Sequence, residues 1–232
     1  MIPTRSVLPW VGRQNTRAGY DRWAASYDDD DPSTLLDEPW LSALFLPAAG
    51  SKILDLACGT GRYLRKLLPP HSPAIGLDLS RSMLLRARSL PNHSTVSWIQ
   101  ASADRLPFRT ALFDWVLCGL VIDHLDNLAG FFRGVMDVLT PNGQAIVTAV
   151  HPDMQRLTGA SIRFDDRGQE CEITGMIHDV DEIIQAARSV GLTVTARHES
   201  SVNEAVIARR PEWRYRLGRP ALLLLALEKK SA

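Results

Sequence analysis

The chain has 232 residues, of which 26 are Lys or Arg and 26 Asp or Glu, with 45% hydrophobic and 22% charged residues. That length suits a single α/β domain with a modest addition, and it can bury a large core without disulfide or metal staples. Zero formal charge argues against a dedicated nucleic-acid or acidic-membrane binder, which usually carries a basic excess. The three scattered cysteines, Cys58, Cys118 and Cys171, rule out a disulfide framework, and no CxxC pair exists to form a zinc ribbon. The longest apolar run, Ala221–Leu227, falls far short of the ~20 residues that span a bilayer and reads as a buried strand. With no continuous apolar segment after the basic N-terminal residues, no signal peptide is read, and the expectation is a cytoplasmic protein.

The first 34 residues are polar and aromatic, with Trp10, Tyr20, Trp23 and Tyr27 ahead of an acidic run, Asp28–Asp31. The aromatic spacing over Tyr20–Tyr27 predicts a short amphipathic helix, and the acidic run reads as a solvated loop. A rhythm then begins. Lys52–Ala57 predicts a strand that stops at glycines, and Arg62–Leu68 a helix ended by Pro69-Pro70. Ala74–Leu79 is a strand, and Arg81–Leu90 a helix with Ser80 as N-cap and Pro91 as stop. Thr95–Gln100 and Phe113–Leu120 are strands, and Leu128–Leu139 a helix ending at the turn Pro141-Asn142-Gly143. Gln144–Val150 is a strand. Asp179 or Asp181 caps a helix that runs to Val190 and stops at Gly191. Leu192–His198 and Ala221–Glu228 are the last strands, joined by a long charged linker, Ser200–Pro220, and able to pair antiparallel at the sheet edge. Alternating strands and helices imply a Rossmann-like, doubly wound parallel sheet.

Ligands of such sheets bind at the carboxyl ends of the strands. The sharpest candidate there is Asp55-Leu56-Ala57-Cys58-Gly59-Thr60-Gly61. Glycines at 59 and 61 make a tight turn and let a ligand approach the backbone. The third glycine of the dinucleotide fingerprint is absent, since position 64 is Leu, and no Gly-Lys-Ser/Thr follows. Asp78 ends the next strand, where an acid can accept both hydroxyls of a ribose or cap the following helix. A glycine turn plus a ribose acid, without a phosphate-reading lysine, suits a nucleoside ligand that lacks a pyrophosphate.

These residues carry a resemblance. Ile53–Gly61 resembles the first motif, and Ile75-Gly76-Leu77-Asp78-Leu79-Ser80 with Met83 the second, of the class I S-adenosylmethionine-dependent methyltransferases, of the small-molecule, type 11-like kind. Leu106-Pro107-Phe108 with Phe113-Asp114, the segment Leu139–Gln144 (with Asn142 where glycine is commoner) and Pro220–Lys229 follow in the family's order, so the resemblance spans roughly residues 18 to 230. It implies seven strands, mostly parallel with the last antiparallel, plus an N-terminal helical cap and a small lid. It implies one methyltransferase domain over 1–232: a cap at 1–45, a cofactor-binding core at 46–150, an acceptor lid at 151–180 and C-terminal strands at 181–232.

The resemblance also implies roles. Asp55 would orient the methionine amino group, with Ala57, Cys58, Gly59 and Gly61 lying against the methionine moiety. Asp78 would hold the ribose. Leu79 and Met83 would pack on the adenine. Where the family often reads Gly-Asp-Ala-Glu, this chain reads Ala101-Ser102-Ala103-Asp104, so Ser102 or Asp104, beside Ala103, would contact the adenine amine. Cys118 and Gly119 would line the cofactor, and Tyr20 and Tyr27 would close over it. Against these roles stand plainer readings: Leu79 and Met83 as ordinary core, and Cys118 as a small core residue rather than a nucleophile.

Methyl transfer from a sulfonium is an in-line displacement, so the protein mainly aligns the acceptor and excludes water. A hydroxyl or acidic-carbon acceptor gains from a base, and histidine suits neutral pH. His124, His151 and His178 fall at strand ends or in the lid and are the candidate bases, with Asp123 and Asp153 secondary; each histidine could instead be a hydrogen-bonded structural residue. His71, His93 and His198 read as bland, and no histidine–carboxylate spacing suggests a metal. The position after the fourth strand reads Cys118-Gly119-Leu120-Val121 rather than the Asn-Pro-Pro-Tyr type used for nitrogen methylation. Ile162, Phe164, Ile173, Met176 and Ile177 could line an apolar pocket in the lid. The basic aromatic stretch Arg209–Arg216 reads as charged surface or dimer contact, with RNA contact the lesser reading. The expectation is a monomer or homodimer that oxygen- or carbon-methylates a small acceptor, without nucleic-acid or membrane partners. The alternatives are an RNA- or protein-directed methyltransferase, or a cofactor-binding member that transfers no methyl group.

Overall fold

The computed structural model describes residues 10–30, 34–91 and 94–231. In chain order the elements are β1 (Trp10–Gln14), α1 (Thr16–Trp23), α2 (Tyr27–Asp30), α3 (Thr34–Leu44), β2 (Ile53–Leu56), α4 (Arg62–Leu67), β3 (Ala74–Asp78), α5 (Arg81–Ser89), β4 (Val96–Gln100) and β5 (Phe113–Gly119). They continue with α6 (Leu128–Val138), β6 (Leu139–Val150), α7 (Pro152–Thr158), β7 (Ser161–Asp165), β8 (Glu170–Thr174), α8 (Val180–Ser189), β9 (Leu192–Ser201), α9 (Glu204–Arg209) and β10 (Pro220–Lys229).

The main sheet has seven strands in the order β4-β3-β2-β5-β6-β10-β9, and β10 runs antiparallel to both neighbours. All four residues of β2 are buried, as expected of a parallel strand covered on both faces. On one face Leu54, Leu77 and Val116 pack against Phe131, Phe132 and Val135 of α6 and Ile183 of α8. On the other, Ile53, Trp115 and Leu224 pack against Leu41 of α3 and Leu64 of α4. The run Ala221–Leu227 lies between β6 and β9 as the antiparallel strand, and apart from half-buried Ala226 it is buried throughout.

A second sheet, β1-β8-β7, sits beside the N-terminal helices. Trp23 of α1 stacks on Phe164 of β7 with ring centroids 5.0 Å apart, and Cys171 and Ile173 of β8 complete the cluster. Phe164 and Ile173 are therefore sealed against the cap rather than lining an open pocket. Strand β1 was not expected from its polar, aromatic sequence; it forms by pairing parallel to β8, a long-range partner that local pattern does not reveal. The linker after β9 is not structureless: Asn203 caps α9 through Val206 N–H, and a 3₁₀ turn, Pro211–Arg216, follows. The turn Pro141-Asn142-Gly143 lies within the run of β6, with Asn142 at φ 62°. Ser80 caps α5 as expected, its hydroxyl accepting Met83 N–H. Cys58, Cys118 and Cys171 are free and buried.

Candidate active site

The carboxyl ends of β2, β3, β5 and β6 converge on one edge, and the turn after β2 is the tightest feature there. Ala57, Gly59 and Gly61 all have positive φ, at 55°, 54° and 76°, and Leu120 after β5 joins them at 56°. Non-glycine residues in that region carry strain, which tends to be kept at functional sites. The two glycines serve different ends. A Cβ on Gly61 would lie 2.3 Å from Trp98, so this position packs the loop onto β4. A Cβ on Gly59 would meet nothing within 4 Å, so this position faces open space.

Two carboxylates bracket the turn. Asp55 is 1% exposed, and neither of its oxygens has a hydrogen-bond partner among the described residues. Burial, reinforced by the charge of Asp78, pushes its pKa well above the usual carboxylate range. Asp78 accepts N–H donors from Gly59 and Ser80, each at 2.8 Å, and so ties the turn to the start of α5. Burial outweighs these donors and raises its pKa to about 6. The helix-cap role and a ligand role are compatible, since each carboxylate oxygen has more than one acceptor direction. The Cys58 and Cys118 thiols are pushed up by burial, which makes them unreactive.

The N-terminal helices cover this edge through consecutive residues of α1. The Tyr20 hydroxyl lies 2.9 Å from His124 Nε2. Asp21 accepts the Ser80 hydroxyl at 2.6 Å and Ser82 N–H at 3.0 Å. Arg22 donates to Asp166, in the turn between β7 and β8, at 2.7 Å. Asp28 accepts the Thr60 hydroxyl at 2.6 Å and pairs with Arg65 at 3.4 Å. Asp28 is thus bound to the glycine turn rather than solvated as expected; Asp31 lies outside the described residues. Behind the turn, fully buried Asp37 accepts two bonds from Arg62 and one from the Tyr63 hydroxyl. Asp21, Asp28, Asp37, Thr60 and Arg62 were missed from sequence; an acidic run facing a Thr and two Arg around a glycine turn was the available signal. The space among Tyr27, Gly59, Tyr63 and Leu120 is only about 30 Å³.

The three candidate histidines differ. His151 caps α7, its Nδ1 accepting Asp153 N–H at 3.2 Å, while Nε2 lies 3.4 Å from Glu199. His178 Nε2 meets the Leu125 carbonyl at 2.9 Å, and its Nδ1 lies 3.3 Å from Glu182. Both nitrogens of each ring are therefore engaged. His124 meets Tyr20 through Nε2, and its buried Nδ1 has no partner among the described residues. Asp123, beside it, has an unpartnered Oδ1 and a pKa raised by burial. The Met176 N–H donates to the Asp123 carbonyl at 2.7 Å, which brings the segment after β8 to this corner.

Of the remaining candidates, Met83 is buried and Leu79 39% exposed; Ser102 is half-buried, Ala103 buried and Asp104 exposed. Gly119 lies under the Tyr63 ring, where a Cβ would come 2.5 Å from the hydroxyl. Asp153 pairs with Arg156 at the surface. His71 is exposed in a turn, His198 lies against Trp40, and His93 is outside the described residues. Among the described residues no three His, Cys, Asp or Glu are placed to hold a metal, and no helix is long and apolar enough to cross a membrane.

Comparison with known proteins bears on the family and the fold. A methyltransferase-domain family profile matches residues 54–147. A malonyl-[acyl-carrier protein] O-methyltransferase of Legionella pneumophila is 36% identical over 113 residues, 47% of this chain and 39% of that protein. A 2-phytyl-1,4-naphtoquinone methyltransferase of Thermosynechococcus vestitus is 30% identical over 154 residues, 62% of this chain and 68% of that protein. The chain thus spans well under half of the Legionella relative, and the match to a bifunctional biotin-biosynthesis protein of Saccharophagus degradans covers 28% of it. Among solved structures, an S-adenosylmethionine-dependent methyltransferase from Mesorhizobium loti superposes with TM-score 0.67 at 25% identity, over 86% of this chain and 99% of that one.

Proposed function

The chain belongs to the class I S-adenosylmethionine-dependent methyltransferases, and on that premise we propose that it transfers a methyl group from S-adenosylmethionine to the oxygen or carbon of a small-molecule acceptor, with His124 as base. One observation carries the reading: a buried Asp55 carboxylate without a donor, beside Asp78, at a turn whose Gly59 faces open space. A buried carboxylate left without partners is costly and calls for a cationic or N–H-bearing ligand. The residues present fit the cofactor. Asp55 would receive its amino group, Gly59 would admit the methionine backbone, and Asp78 would accept the ribose hydroxyls, with Leu79 and Met83 toward the adenine and Ser102 or Asp104 toward its amine.

When bound, the cofactor supplies an electrophilic methyl group on a sulfonium that leaves as a neutral thioether. The chain's work is alignment, dryness and one proton. Tyr20 and Tyr27 shut water out. Tyr20 holds His124 through Nε2; with the proton on Nε2 shared toward Tyr20, Nδ1 keeps a lone pair that takes the acceptor's proton. Asp123 stands behind as a carboxylate that steadies the charged ring. Because both nitrogens of His151 and His178 are engaged, these two hold the lid in place in this reading. The small-molecule assignment is supported by the 2-phytyl-1,4-naphtoquinone in one relative's name, while another relative's name gives a malonyl-[acyl-carrier protein] as acceptor.

Calorimetry with S-adenosylhomocysteine tests the site: binding by the wild type and its loss in Asp78→Ala support the reading, and equal binding by both refutes it. An acceptor screen read out as S-adenosylhomocysteine release then tests the base. A His124→Ala variant with full rate on the acceptor found would remove His124 from the mechanism.

A further inference from the structure

The excursion between β9 and β10 concentrates charge that the whole-chain balance conceals. Residues 203–219 hold five Arg (209, 210, 214, 216, 219) and two Glu (204, 212), a net of +3 that leaves −3 for the rest of a formally neutral chain. Topology places this excursion at the active edge of the sheet. It leaves from Ser201 and returns at Pro220, which pair with each other, while Leu222 pairs with Val150 at the end of β6. Its inner side packs Val206, Ile207 and Trp213 with Met154 and with Leu120, the strained residue that lines the cleft. Its outer side shows Tyr215 at 53% and Leu217 at 41% exposure, interleaved with the exposed Arg214.

We propose that this excursion docks the protein on an anionic lipid bilayer. Basic side chains interleaved with exposed Tyr and Leu are suited to the headgroup boundary, where the cations meet lipid phosphates and the apolar groups enter the interface. Nucleic acid fits less well. Single-stranded chains bind by stacking bases on aromatic faces, and here the Arg216 guanidinium already lies over Trp213 at 4.3 Å and over Tyr215 at 5.1 Å. The neutral composition led to an expectation of no membrane partner. That argument counts total charge, whereas a surface responds to charge within a Debye length. Docking here sets the Leu120 wall of the cleft beside the bilayer, where a lipid-soluble acceptor resides. That consequence, though not the docking itself, rests on the methyl-transfer reading.

The test is co-sedimentation of the full chain with vesicles of phosphatidylcholine, with and without phosphatidylglycerol, in the absence of any substrate, so that its result is separate from that of the calorimetry. The expected result is binding to the phosphatidylglycerol vesicles, weakened by added salt. Each basic residue near such a surface strengthens binding by about fivefold. Reversing Arg209 and Arg219 to Glu takes the excursion from +3 to −1 and should abolish binding. Leu217→Ser keeps the charge and should weaken it. Equal sedimentation with both vesicle types, salt-independent binding, or binding untouched by the double variant overturns the proposal. So does tighter binding to a short RNA or an acidic peptide that displaces the vesicles.

Discussion

Replacing Asp78 with Asn should remove a pH-dependent loss of stability while destroying the ligand site. In the folded chain burial raises the Asp78 pKa to about 6 from an ordinary 3.8. The native state therefore binds this proton more tightly than the unfolded chain. Between those two values the folded form holds more protons, so stability falls as pH rises through the window and stays lower above it. A difference of about two pK units corresponds to about 3 kcal/mol, and the side chain is buried enough that solvent screening takes little from it. Asn removes the titration, but it can accept only one of the two N–H bonds from Gly59 and Ser80, a loss of about 1–3 kcal/mol that is the same at every pH. On top of that constant cost, the variant should gain about 3 kcal/mol relative to the wild type as pH rises from about 4 to 8, roughly 6–12 °C in melting midpoint for a chain of this size. Urea or thermal unfolding of both proteins across this range measures the difference. A gap between the two proteins that does not change with pH, or that moves against the variant as pH rises, would refute the argument. The same titration predicts that wild-type affinity for S-adenosylhomocysteine weakens by about tenfold per pH unit below about 6, because a protonated carboxyl accepts ribose hydroxyls poorly.

Gly61→Ala meets Trp98 at 2.3 Å in a left-handed conformation and should cost about 2–4 kcal/mol in urea unfolding, whereas Gly59→Ala should cost only about 1 kcal/mol yet lose S-adenosylhomocysteine binding in calorimetry. His151→Ala should lower stability by about 1 kcal/mol through the lost α7 cap with turnover little changed, while His124→Ala should lose ~10²–10⁴-fold in rate with the fold intact. Asp28→Ala frees Thr60 and Arg65; limited proteolysis should then cut the N-terminal helices faster than in the wild type, with saturating S-adenosylhomocysteine restoring protection.

The parallel core was legible because β2 and β5 are short, largely apolar runs that lead into glycines, and Ser80 announced its helix by the chemistry of its cap. The antiparallel β9–β10 pairing was also foreseeable, although the linker that showed no clear helix pattern holds α9. What sequence did not disclose depended on distant partners. Strand β1 exists only through β8, and Asp28 reads as solvent-loving until Thr60 and Arg65 lie within reach of it. Asp37 is a polar residue in an otherwise mixed segment, and only the tertiary placement of Arg62 and Tyr63 lets it be fully buried. The three histidines were indistinguishable as letters; they separate once the partners of each ring nitrogen are known.

Tyr20, Asp21 and Arg22 are neighbours in sequence that reach three different regions: the corner of His124, the start of α5 and the hairpin of the lid. The space of about 30 Å³ at the glycine turn admits about one water, so the methionine end of a nucleoside ligand can sit there only after the residues over the turn shift. In the methyl-transfer reading, the lifetime of a few short polar contacts then bears on how fast ligand exchanges.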